Sequence, residues 1–231
     1  MRLLIIRHAD PDYENNTITE AGHEESKALA VRLQKEKITD IVCSPLQRAM
    51  DTMEYTRKLT GIVPVFHDWL QEFEWTDIAP GYKNPWDIPG DVLLGFPQCC
   101  LLDGWHTIPC FDGQKVLDDY RQRTVLFDAF LSEQGYVRRG LFYEETKQNE
   151  KNMAVFCHAG LGTALISHLL NLPLPLAWAH MWLAPTSVTT LVFNKRDSAF
   201  VVPKCISLGD TSHLYSDDLE IRFRGYKGNR Y

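Results

Sequence analysis

In the stretch Leu3-Leu4-Ile5-Ile6-Arg7-His8, a short apolar run is followed at once by two basic side chains. A continuous apolar run of this length is typical of a strand that is buried on both faces of a parallel sheet. Open α/β sheets bind their ligands at the carboxyl ends of such strands. The stretch therefore predicts a parallel sheet with Arg7 and His8 at its ligand-binding edge.

The sequence on either side of this stretch alternates between apolar runs and helical periodicity. The predicted strands lie at 3–6, 38–43, 62–66, 153–157, 187–193 and 200–206. The predicted helices lie from the N-cap Thr19 to Lys35, from Pro45 to Gly61, at 116–131 and at 161–170. Strands that alternate with helices pair in parallel, so we predict a three-layer α/β/α sandwich with a mostly parallel central sheet.

The alternation lapses between residues 76 and 150. A chain of 231 residues is predicted to form a single domain, 1–231, and we interpret 76–150 as a cap or lid inserted within it. Residues 136–143 are predicted to form a small hairpin within this cap. Aromatic residues in and beside the cap are expected either to line the mouth of the ligand site or to form the cap's own core; they are Trp75, Tyr82, Trp86, Phe96, Trp105 and Phe111.

The composition excludes several classes of partner. The chain has 24 Lys and Arg against 30 Asp and Glu, a net charge of −6, so it has no general attraction for nucleic-acid phosphates. The opening apolar run is too short for a membrane span, and we expect no membrane partner. Its 6 cysteines include no CxxC pair, which favours a reduced, cytoplasmic protein.

Four basic side chains are predicted to meet at one edge of the sheet. Arg48 lies four residues beyond Ser44, which follows the second strand, and His158 directly follows the strand at 153–157. Taken singly, Arg48 reads as a surface cation and His158 as a structural histidine. Together with Arg7 and His8 they form an anion site inside an acidic protein, and arginine offers the paired donors that suit a phosphoryl group.

Several segments resemble the histidine phosphatase superfamily, the phosphoglycerate-mutase-like proteins, and in particular its bacterial-type phosphatases. The matching segments are Ile6-Arg7-His8-Ala9-Asp10, Thr19-Glu20-Ala21-Gly22, Ser44-Pro45-Leu46-Gln47-Arg48-Ala49-Met50-Asp51-Thr52, Leu70-Gln71-Glu72, Cys157-His158-Ala159-Gly160, 185–189 and 209–214. They occur in the family's order, whereas 76–150 matches no part of its pattern. Ala9 departs from that pattern, because the family has glycine after the nucleophile.

The resemblance implies a phosphomonoester hydrolase that needs no metal and no cofactor and acts on a small-molecule phosphate ester. It implies His8, Glu72 and His158 as catalytic residues, and Arg7, Arg48, Ala159 and Asn15 as phosphate-binding residues, with Asn16 as the alternative to Asn15. One ring nitrogen of His8 attacks phosphorus while the other donates to a main-chain carbonyl. Glu74 is the alternative acid, because in a strand it would share a face with Glu72.

Other functions are weighed against hydrolysis. A phosphoglycerate-mutase-type phosphotransferase is less favoured, because the long segment that surrounds the acid in such mutases is missing from 67–115. A catalytically weak phosphate-binding member is supported only by Ala9. A cysteine phosphatase centred on Cys157 is disfavoured, because Thr163 stands where its phosphate loop needs arginine. A homodimer is left open.

Overall fold

The computed structural model describes residues 1–75, 81–82, 84–110, 113–194 and 200–226. Its strands are β1 (Arg2–Arg7), β2 (Pro11–Asp12), β3 (Thr17–Ile18), β4 (Asp40–Cys43), β5 (Val65–Phe66), β6 (Tyr136–Arg139), β7 (Phe142–Glu145), β8 (Asn152–Cys157), β9 (Val188–Val192), β10 (Phe200–Val201) and β11 (Lys204–Asp210). Its helices are α1 (Glu20–Lys35), α2 (Gln47–Thr60), α3 (Gly90–Leu94), α4 (Gly113–Glu133), α5 (Ala159–Leu170), α6 (Leu174–His180) and α7 (Ser212–Ser216). Within the described ranges, none of the helices has the length and apolarity needed to cross a membrane.

The central sheet has six strands in the order β11-β9-β1-β8-β4-β5. β1 pairs in parallel with β8, β8 with β4, and β4 with β5, whereas β9 runs antiparallel between β1 and β11. Arg7 lies opposite Cys157, and Cys43 lies opposite Phe156. The residues that follow these three strands therefore leave the sheet at the same edge, as the sequence predicts.

Helices cover both faces of this sheet. Leu4 and Ile6 of β1 join one apolar cluster with residues of α1 and α2. Leu3 and Ile5 point to the opposite face and join a larger cluster that includes residues of α4 and α5. Side chains of a strand alternate between faces, so the four apolar residues of β1 supply both cores. The predicted three-layer α/β/α sandwich with a mostly parallel sheet is confirmed.

The predicted cap contributes to the main core. Trp105 and Phe127, which fall within 76–150, belong to the same cluster as Leu3 of β1. Trp75 also belongs to that cluster, and Tyr82 and Phe96 pack against it. Phe111 lies outside the described residues. These contacts place most of the singled-out aromatic rings in a core shared with the sheet, and the division of the chain at 76–150 stays a prediction.

Some elements differ from their predicted bounds. The predicted strand 200–206 is two strands, β10 and β11. β10 pairs with β7 in a separate sheet, which also contains β6, the other strand of the predicted hairpin. β11 joins the central sheet. Pro203 lies between the two strands, where the pairing is interrupted because proline has no N–H to donate to a neighbouring strand. The second helix begins at Gln47 rather than at Pro45. α6 was not predicted.

Gly22 allows the first turn of α1 to pack against the loop after β1. Thr19 caps this helix, as predicted, by accepting a hydrogen bond from the Gly22 N–H, and its own N–H donates to the Asp10 carbonyl. A Cβ on Gly22 would lie 2.6 Å from that carbonyl oxygen. The glycine is therefore required by close packing rather than by an unusual backbone angle.

We expect Gly22→Ala to lower the free energy of unfolding by about 1–3 kcal/mol, because overpacking moves the backbone or the capping loop. Urea unfolding followed by circular dichroism measures the effect. Gly90→Ala is the matched control, since the nearest atom to its added Cβ is 3.8 Å away. Equal stabilities for the two variants would contradict the packing argument.

Candidate active site

His8 is buried at the end of β1, and its main chain is held on both sides. Its N–H donates to the Cys157 carbonyl at 2.9 Å, and its carbonyl accepts from Thr186 N–H at 3.3 Å. Nδ1 of the ring lies 2.7 Å from the Ala9 carbonyl oxygen. A carbonyl can only accept, so Nδ1 carries the proton and Nε2 keeps its lone pair. Burial, followed by the charges of Arg7 and Arg48, lowers the pKa of His8 well below its usual value and keeps the ring neutral.

Ala9 fits the backbone conformation of this loop. It is absent from the described non-glycine residues with positive φ, so no left-handed conformation is required here. Its N–H donates to Thr52 Oγ1 at 2.9 Å, and its carbonyl accepts from His8. Alanine therefore makes the contacts that orient the nucleophile.

Three buried nitrogen atoms around His8 lack a hydrogen-bond partner within the part of the chain that the structure describes. They are Arg7 Nε, Arg48 Nε and His158 Nδ1. The terminal nitrogens of Arg7 are held by main-chain carbonyls, with Nη1 donating to Leu183 at 2.6 Å and Nη2 to Arg224 at 2.9 Å. Buried polar atoms are normally satisfied, so three together indicate the place of a bound anion.

His158 stands next to His8, with ring centroids 5.2 Å apart. Its Nε2 lies 2.8 Å from Ser44 Oγ, and that hydroxyl accepts from Leu46 N–H at 3.3 Å. Where Ser44 donates this hydrogen bond to Nε2, the His158 proton lies on Nδ1. Burial, and then the nearby His8 and arginines, lower the pKa of His158. In that tautomer a neutral His158 can donate from Nδ1, which is buried and has no partner among the described residues, to an anion. The sequence places Ser44 after the second strand, but its contact with His158 was missed.

Glu72 binds the N-terminus of α5. Its two carboxylate oxygens accept from the N–H groups of Gly160, at 2.9 Å, and Leu161, at 2.8 Å. These bonds favour the charged carboxylate, but burial outweighs them and raises the pKa of Glu72. Ala159 is the first residue of this helix, so its N–H is one of those with no partner inside the helix.

The two candidate acids, Glu72 and Glu74, lie in different surroundings. Glu74 is exposed, whereas the Glu72 carboxylate accepts hydrogen bonds from the N-terminus of α5, and the Arg48 charge acts to lower its pKa against the effect of burial. Residues 72–75 form no strand, so the argument that the two carboxylates share a strand face does not hold.

Arg123 of α4 was missed by the sequence reasoning. Its Nη1 donates to the carbonyls of Trp69, at 2.8 Å, and Gln71, at 2.7 Å, and its guanidinium lies over the Phe73 ring. These contacts fix the loop that carries Glu72. No sequence signal marks this residue, because it lies in the segment without a recognisable motif.

Thr186 contacts the main chain of His8, and His213 contacts Thr186. Thr186 has φ +56°, an unusual angle for a β-branched residue, and its N–H donates to the His8 carbonyl. His213 Nε2 lies 3.1 Å from Thr186 Oγ1. Both residues fall in the matching segments 185–189 and 209–214, but the sequence did not show what they contact.

Asn15 lies in an exposed turn. Its main-chain N–H donates to Asp12 Oδ1 at 3.1 Å, and its side-chain amide donates to Asp12 Oδ2 at 2.8 Å. The phosphate-binding role of Asn15 stays a prediction. Over the described ranges, no group of three or more His, Cys, Asp or Glu side chains could hold a metal ion.

Comparisons with known proteins concern the family and the fold of the chain. A family model described as "Histidine phosphatase superfamily (branch 1)" matches residues 3–83 and 137–205. A mycobacterial glucosyl-3-phosphoglycerate phosphatase in complex with inorganic phosphate is 20% identical with a TM-score of 0.64, covering 92% of this chain and 98% of that one. A phosphoserine phosphatase from Entamoeba histolytica, in complex with 3-phosphoglyceric acid, is 18% identical with a TM-score of 0.63 and the same coverage of both chains. These two likenesses show a shared fold. No curated protein sequence matches the chain.

Proposed function

Because this chain belongs to the histidine phosphatase superfamily, we propose that it hydrolyses phosphate monoesters of small molecules through a phosphohistidine intermediate on His8. One observation carries the proposal. The bond from His8 Nδ1 to the Ala9 carbonyl leaves Nε2 unprotonated, and the neighbouring Arg7, Arg48 and His158 each carry a buried nitrogen that has no partner among the described residues. A nucleophile and an anion site thus lie together.

In the first step, His8 Nε2 attacks phosphorus and the ester P–O bond breaks. The new N–P bond converts His8 into phosphohistidine. The departing alkoxide takes the proton of Glu72 and is released as the alcohol. Arg7, Arg48 and His158 Nδ1 donate to the phosphoryl oxygens, where the negative charge is spread in the transition state. The raised pKa of Glu72 supports this role, since the acid must hold a proton before it can give one.

In the second step, ionised Glu72 takes a proton from water, and the water oxygen attacks phosphorus. The N–P bond breaks, inorganic phosphate leaves and His8 returns to its neutral form. Two guanidinium groups supply the positive charge that a divalent cation supplies in other phosphoryl-transfer sites, so the proposed reaction needs no metal.

Hydrolysis is preferred to the alternatives for reasons in the site. The case for a non-catalytic phosphate binder rested on Ala9, whose backbone makes the bonds that orient His8. The cysteine-phosphatase alternative lacks support, because burial raises the pKa of the Cys157 thiol, whereas a nucleophilic cysteine needs a lowered one. A cytoplasmic location and a homodimer stay predictions.

The experiment that tests the function traps the intermediate. Protein in excess chelator is mixed with phenyl phosphate that is radiolabelled in the phosphoryl group, and the mixture is quenched in alkali within one turnover. We expect label on the peptide that contains His8, stable in alkali and lost in acid, as a phosphorus–nitrogen bond requires. Turnover without a labelled protein, or turnover abolished by the chelator, would overturn the proposal.

A further inference from the structure

A cavity of about 410 Å³ opens beside the phosphate-binding side chains. Its walls come from residues 86–90, the first turn of α5 and residues 178–183, with Gly225 and Tyr226 closing one side. The proposed hydrolysis uses none of this space. The volume lies within the range of about 300–1,000 Å³ that is usual for small-molecule sites.

The cavity is joined to the phosphate site through Arg7. Leu183, which lines the cavity, accepts a hydrogen bond from Arg7 Nη1 at 2.6 Å. The Arg7 guanidinium also lies 5.8 Å from the centre of the Trp182 ring, another wall residue. Ala159, which also lines the cavity, directly follows His158. A phosphoryl group bound by Arg7 and His158 therefore places its ester group at the mouth of this cavity.

Aromatic rings form much of the wall. Trp86 and Trp178 meet edge to face with ring centroids 5.9 Å apart, and Trp182 and Tyr226 meet in the same way at 5.5 Å. A Cβ on Gly160 would lie 2.4 Å from the Trp86 ring, so this glycine is what lets the indole lie against α5. Such rings offer flat apolar surfaces on which another ring can stack.

The charge of the wall disfavours a second anionic group. Asp87 and His180 are its titratable side chains apart from Tyr226, and no lysine or arginine occurs among the described residues that line it. Asp87 Oδ2 is held by the Asn84 side-chain amide at 3.0 Å. A carboxylate on the substrate would meet the Asp87 carboxylate in a wall that has no lysine or arginine, because the Arg7 guanidinium beside it donates to main-chain carbonyls and is assigned to the phosphoryl group.

We propose that this cavity binds the alcohol part of the substrate as a flat, uncharged ring, so that aryl and aralkyl phosphates are preferred to phosphorylated carboxylic acids. The inference rests on the proposed hydrolysis at His8 and names the substrate class of that site. It also distinguishes this chain from the two structural relatives, whose names refer to phosphorylated acids.

The test compares kcat/KM for 2-phenylethyl phosphate, 2-cyclohexylethyl phosphate and 3-phosphoglycerate. The first two alcohols have similar acidity and size, so their difference reports recognition of the ring. We expect the phenyl ester to exceed the cyclohexyl ester by about threefold to tenfold. We expect it to exceed 3-phosphoglycerate by at least about tenfold. Equal values for all three esters, or a preference for 3-phosphoglycerate, would overturn the inference.

A charge reversal provides a second, independent readout. Asp87→Lys places a cation in the wall, so the preference for the phenyl ester over 3-phosphoglycerate should fall by about tenfold. Asp91→Lys is the matched control, because it makes the same charge change on α3 outside the cavity lining. The same fall in both variants would show that overall charge, rather than the cavity, sets the preference.

Binding to an inactive variant separates this inference from the proposed function. Calorimetry with His8→Asn and 2-phenylethyl phosphate is expected to show binding that Trp86→Leu, added to the same variant, weakens. Ring-selective binding without turnover by the native protein would support the cavity and overturn the hydrolysis. Turnover with no preference for the ring would overturn the cavity alone.

Discussion

Replacing His8 with asparagine is expected to lower kcat for phenyl phosphate by about 10⁴-fold or more, as removal of a covalent nucleophile does in other enzymes. Asparagine has no nitrogen lone pair available to attack phosphorus. Its side-chain amide can still donate to the Ala9 carbonyl, which holds Nδ1 of His8 in the native protein. The fold should therefore survive while the chemistry is lost. Steady-state release of phenol measures the effect.

Phosphate binding gives the control for this variant. The donors on Arg7, Arg48 and His158 remain, so calorimetry should show that inorganic phosphate still binds the variant. His23→Asn is the matched substitution, because His23 lies on α1 and contacts Tyr55 instead of the site. Comparable turnover by native protein and by His8→Asn would remove His8 as the nucleophile.

Replacing Glu72 with glutamine is expected to lower kcat for an alkyl phosphate by about 10²–10⁴-fold, the usual effect of losing a general acid and base. With phenyl phosphate the leaving phenoxide needs little protonation, so the first step should stay comparatively fast. The second step still lacks its base, and phosphoenzyme should accumulate. In stopped flow we expect a burst of phenol whose amount equals that of the enzyme. Slow turnover should follow the burst.

Glu74→Gln is the matched control for the acid. Glu74 is exposed and two residues away, so its loss should leave kcat within about twofold of the native value. If Glu74→Gln loses activity and Glu72→Gln keeps it, the acid is Glu74 and the present assignment is wrong.

The dependence of kcat/KM on pH should also report the Glu72 carboxyl. Phosphorylation needs neutral His8, whose pKa is lowered, and protonated Glu72, whose pKa is raised. kcat/KM for an alkyl phosphate should therefore rise with pH through the lowered histidine pKa, and fall again through the raised carboxyl pKa. In Glu72→Gln the alkaline fall attributed to this carboxyl should disappear, since glutamine does not titrate.

The sequence correctly predicted features that depend only on residues close together in the chain. The apolar run before Arg7, the Thr19 cap and the glycine at 61 each act on their own chain neighbours, and each occurs as predicted. Predictions failed where a distant partner competes. Ser44 contacts His158 of another element, which its chain neighbours do not indicate, and the second helix begins two residues beyond the predicted Pro45.

The parallel sheet and the edge that Arg7 and His8 reach follow from the sequence, because parallel strands place the residues that follow them side by side whatever surrounds them. How the residues at this edge are held depends on contacts between distant segments. Glu72 reaches α5 across 88 positions of sequence, and Arg123 of another helix fixes its loop. The cavity depends on rings from three separate segments. Such contacts are set by packing between elements, which propensity and periodicity along one segment do not encode.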